Sequence, residues 1–90
     1  MKNNKNFIDP HRVRDLIHTG DIIEWISKEN MTSEGVSLIL KVLPEDEYEK
    51  IVGGINVRIN ILVLRDVLEL RGNIRTWIYN SNYHFLRKIA

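Results

Sequence analysis

The chain has 90 residues, a net charge of +1 and no cysteine. A chain of this length supports one hydrophobic core, and without cysteine neither disulfides nor thiolate metal sites are possible. No apolar run is long enough to cross a bilayer as a helix, so the expectation is one cytoplasmic domain over residues 1–90, with residues 1–8 as a polar tail and no membrane contact.

Charge and residue usage are uneven. Residues 1–50 hold seven Lys/Arg against ten Asp/Glu, and residues 51–90 hold six against two. Thirteen Ile and seven Val stand against a single Ala. β-Branched side chains lose rotamer freedom in helices and pack well on pleated surfaces, which tilts the reading towards sheet.

In chain order, Asp9-Pro10 offers a helix cap and a proline suited to the first helical position. Val13, Leu16 and Ile17 form a stripe at helical spacing, and Gly20 is a stop, predicting a helix over 10–19. Asp21 and Glu24 have capping-box spacing, and with Ile22, Ile23, Trp25 and Ile26 they predict a second helix over 21–29. Val36 to Val42 alternate as a strand. Pro44-Glu45-Asp46-Glu47 reads as an acidic turn.

Gly53-Gly54 suits a two-residue hairpin loop. It sets Val52 opposite Ile55, Lys50 opposite Val57 and Tyr48 opposite Ile59, with Glu49 opposite Arg58 on the other face. A second hairpin at Gly72-Asn73 sets Leu70 opposite Arg75 and Leu68 opposite Trp77, with Arg65-Asp66 turning between the two. One sheet face then gathers Val52, Ile55, Val57, Ile59, Ile61, Val63, Leu68, Leu70 and Trp77. Phe85, Leu86 and Ile89 are spaced for one helical turn.

The expected fold class is α+β: two short N-terminal helices packed on an antiparallel β-meander, ending in a short C-terminal helix or tail. The alternative is a small all-α bundle, in which the acidic turn starts a helix and 56–71 forms another. That second helix is apolar nearly all round, which a chain this small rarely buries.

No nucleophile–base, phosphate-loop or calcium-loop pattern is present. His11, Asp15 and His18 share a helix face but lack further ligands for zinc. No catalytic residue, metal, cofactor or small-molecule substrate is therefore expected. Two surfaces remain. Leu62, Leu64, Val67, Ile74 and Ile78 fall on the face away from the core. They form an apolar patch for a protein partner or a second copy, unless Phe85, Leu86 and Ile89 cover it. Arg71, Arg75, Tyr79, Tyr83, Arg87 and Lys88 interleave cations with rings and suit nucleic acid. The leading expectation is a non-catalytic protein-interaction or regulatory module. A nucleic-acid-binding protein is the alternative, and an enzyme comes third.

Overall fold

The computed structural model describes residues 7–51, 53–66 and 71–89, with Tyr48 and Ile51 by backbone alone. A 3-10 turn at Pro10–Arg12 runs into helix α1 (Val13–Leu16). Strands β1 (Ile22–Ser27) and β2 (Ser33–Val42) follow, then helix α2 (Glu47–Ile51). Strands β3 (Asn56–Asp66), β4 (Ile74–Asn80) and β5 (His84–Lys88) complete the chain. Among the described residues, the five strands form one antiparallel sheet in the order β4-β3-β2-β1-β5. The fold is mainly β with a little helix, and the all-α alternative falls.

The edge strands β4 and β5 are consecutive in the chain, joined by Ser81, Asn82 and Tyr83 alone. In a flat sheet they would lie four spacings apart, about 19 Å, whereas four residue steps reach at most about 14 Å. The sheet must therefore curl. Its concave face holds the core: Ile23, Trp25, Ile39, Val57, Ile59, Ile61, Val63, Tyr79 and Leu86 are buried together. Val13 and Ile17 reach the same cluster from the α1 segment. The Trp25 and Trp77 rings meet edge-on across the curl, 5.2 Å between centroids, and the Trp25 indole N–H donates to the buried Ser37 hydroxyl at 2.7 Å.

Several expectations need correction. The first helix is much shorter than 10–19. Asp9 does cap it, accepting from the His11 N–H at 3.0 Å, but the backbone turns extended at Ile17. From there tertiary pairing wins: the Gly20 N–H donates to Ile39 O, and the Ile39 N–H to Asp21 O. The helix expected over 21–29 is strand β1. The Asp21 carboxylate accepts from the His18 N–H at 2.8 Å instead of capping a helix over 22–29, and β1 is paired on both sides, by β2 and β5. The C-terminal helix is likewise strand β5, laid against β1. Of the tail expected over 1–8, residues 1–6 lie outside the described residues. Phe7 bridges to Arg87, and the Ile8 N–H donates to Leu86 O at 2.8 Å.

The Gly-Gly hairpin is absent because residues 47–51 are helical. Asp46 starts that helix, accepting from the Glu49 N–H at 3.1 Å. Glu49 and Arg58 do meet, at 3.1 Å, but from helix to strand. Gly54 still takes a φ of +82°, and a Cβ there would also lie 2.9 Å from the Asn82 side-chain amide. Arg65 and Asp66 do not turn but end β3. Arg75 lies opposite Ile61 and Trp77 opposite Ile59, while Val52, Val67, Leu68 and Leu70 lie outside the described residues.

Candidate functional site

Strand alternation sends Val57, Ile59, Ile61 and Val63 inward, so their β3 neighbours Arg58, Asn60, Leu62 and Leu64 face out. The ladders then align one residue from each of four strands. Ile22 pairs with Leu38, Leu38 with Leu62, and Leu62 with Ile74. The result is an apolar row running from β1 to the β4 edge across the convex face. Ile22, Leu38, Leu62 and Leu64 are half-buried, whereas Ile74 is 72% exposed and Ile78 49%. Ile78 lies opposite Arg58, one outward position beyond Thr76, whose hydroxyl donates to the Asn60 side chain at 2.6 Å. Of the five residues expected to form the patch, Leu62, Leu64, Ile74 and Ile78 share this face, and Val67 lies outside the described residues. Phe85 and Leu86 do not cover them, and Ile89, itself exposed, donates its N–H to Ile22 O at the β1 end of the row. Phe85 pairs with Ile26 at the far side of the sheet and stacks on Phe7 at 4.6 Å, and Leu86 is core.

Beside the row, Glu24 projects from β1 between two cations, accepting from Arg87 and from Arg65, the latter at 3.4 Å. It is only 8% exposed. Burial pushes its carboxyl up, but hydrogen bonding to Ser33 and Arg87 and the charges of Arg87 and Arg65 outweigh burial, leaving it below its ordinary range. This cluster ties Arg87 of β5 and Arg65 of β3 to β1 and borders the apolar row with charge.

The residues considered for nucleic acid do not converge. Arg71 and Arg75 are exposed at the start of β4, and Tyr83 is exposed beyond its end. Arg87 is held by Glu24, and the Lys88 ammonium donates to Leu16 O at 2.8 Å and pairs with Asp21 at 3.1 Å. Tyr79 is core, and burial pushes its phenol up to about 12, so its ring offers no face for a base to stack on.

His18 pairs with Asp21 at 3.7 Å and His11 is exposed. Among the described residues no three His, Asp or Glu side chains gather as a metal site, and no helix is long and apolar enough to cross a membrane. One feature escaped the sequence. His84 and Glu34 meet at 2.7 Å beside Ser27, in a hollow of about 300 Å³. The β1–β5 pairing brings together residues more than fifty positions apart, and no local pattern in the chain signals it.

No protein-family model, curated protein or solved structure matches the chain.

Proposed function

We propose that the chain is a non-catalytic protein-interaction module that docks through the convex face of β3 and β4, with Leu62, Leu64, Ile74 and Ile78 as the contact residues. The supporting observation is the apolar row crossing four strands and ending in the largely exposed Ile74. Fully burying an isoleucine side chain is worth about 1.5–3 kcal/mol, so covering Ile74 and Ile78 supplies a useful part of a binding energy. Contiguous exposed apolar surface of this kind marks interaction sites on small domains.

The test is photo-crosslinking in the native cell from position 74, with position 29 in the β1–β2 turn as control. A discrete protein adduct from position 74, weakened by Ile78→Asp, is the expected outcome. Adducts of equal yield from both positions, or none from position 74, would remove the reading. Because Ile74 and Ile78 are exposed, these changes leave the core intact.

A further inference from the structure

The two edges of the sheet are finished differently. The β5 edge carries Arg87 and Lys88 and is flanked by the Phe7 bridge, the Ile8 hydrogen bond and the Phe7–Phe85 stack. On the β4 edge nothing pairs among the described residues. Proteins commonly blunt such an edge with proline, lysine or a bulge. β4 has no proline and a single charge, Arg75, and its ladder with β3 runs from Asn56↔Asn80 to Leu62↔Ile74 without a shift, whereas the β1–β2 and β2–β3 ladders are both irregular.

The unused backbone groups can be assigned. The Ser81 N–H donates to Ile55 O and the Val63 N–H to Asn73 O, so the odd-numbered residues of β3 turn their backbone groups towards β4. In an antiparallel ladder the bonded pairs are then Val57 with Tyr79, Ile59 with Trp77 and Ile61 with Arg75. Ile74, Thr76 and Ile78 turn N–H and C=O away from β3, into the open edge.

We propose that a second copy of this chain occupies that edge, β4 pairing antiparallel with β4 about a two-fold axis at Thr76. This rests on the reading of the β3–β4 face as an interaction surface and names its occupant. In this register Thr76 faces Thr76, Ile74 faces Ile78 of the second copy, and Arg75 faces Trp77. Every open N–H and C=O of the three residues finds its counterpart. Arg75 is the one charged residue of β4, and centring the pairing on it instead would oppose two like charges. Centring on Trp77 would set Ile74 against Asn80, whose carbonyl already accepts from the Tyr83 N–H at 3.0 Å. Of these three registers, the one centred on Thr76 avoids both conflicts. It also carries the apolar row across the seam, from Ile74 to Ile78 of the second copy, in the self-complementary manner of a two-fold interface.

The experiment uses the purified full chain and its lack of cysteine. Sedimentation equilibrium should give twice the chain mass. Thr76→Pro should sediment as a folded monomer, because the N–H it removes faces away from β3. Thr76→Val, which loses only the hydroxyl bond to Asn60, should remain dimeric. Under mild oxidation Thr76→Cys should form a covalent dimer. Ile74→Cys alone should not, but mixed with Ile78→Cys it should. The cysteine series decides the matter even where Thr76→Pro fails to fold. A chain that stays monomeric at millimolar concentration, or an Ile74→Cys that self-links as readily as Thr76→Cys, overturns the proposal. A monomer that still gives a foreign adduct from position 74 in the cell removes the second copy and leaves the interaction reading standing.

Discussion

Replacing Glu49 with Gln isolates the charge that ties α2 to the rest of the molecule. Glu49 is 5% exposed and accepts from Arg14 of α1 and from Arg58 of β3. Glutamine keeps the shape but offers one carbonyl oxygen, so one guanidinium bond is lost and the other becomes charge-to-neutral. A hydrogen bond to a charged group contributes about 1.5–3 kcal/mol and a neutral one about 0.5–1.5. Both arginines are about one-third exposed and keep other partners, Arg14 at Leu43 O, and Arg58 at Pro44 O and at the Asp46 carboxylate, 3.1 Å away, which trims the loss. The expected destabilisation is about 2 kcal/mol, read as a fall in the urea midpoint or in Tm by roughly 10 °C. A double-mutant cycle with Arg14→Met should show coupling near half that value. A loss below about 0.5 kcal/mol with no coupling, the behaviour of an exposed surface pair, would refute the reasoning.

Gly54→Val places a β-branched side chain at φ +82°, with its Cβ 2.9–3.1 Å from the side chains of Asn80, Ser81 and Asn82. It should cost on the order of 2 kcal/mol in chemical denaturation, while Gly53→Ala, whose Cβ would meet the Asn82 side-chain nitrogen at an ordinary 3.9 Å, should cost well under half as much. Glu24 supplies the pH test. Its carboxyl sits lower in the folded chain than its unfolded value of about 4.3. Its contribution is therefore complete above that value and disappears as pH falls through the lower folded one. Wild type should be more stable than Glu24→Gln at pH 6, with the gap shrinking towards pH 3; a constant gap would contradict the assignment.

The legible parts of the fold were those where one strand's alternation sufficed. Val36 to Val42 lie within β2, and Val57, Ile59, Ile61 and Val63 are buried as a set. Leu62, Ile74 and Ile78 share a face because alternation fixes facing whatever the hairpin length, provided parity holds. Partners were another matter. The Asp21–Glu24 spacing is a valid local helix start, yet β1 is held by Ser37 and Leu38 on one side and Leu86 to Lys88 on the other, and such non-local pairing leaves no local trace. Gly54 has a positive φ, as a hairpin glycine would, but what crowds it is the end of β4 and the β4–β5 connection rather than a hairpin partner. The acidic stretch hid its role for the same reason: Glu49 is understood only once Arg14 and Arg58 stand on either side of it.

The strand order also sets a timetable. β1 is complete at Ser27, yet its outer neighbour begins only at His84. At synthesis rates of 5–20 residues per second, the interval between them is roughly 3–11 s. Until it ends, β1 can pair only on the side where β2 lies. The five residues of β5 close that flank, so the outer edge of β1 stays available to other chains until they are made.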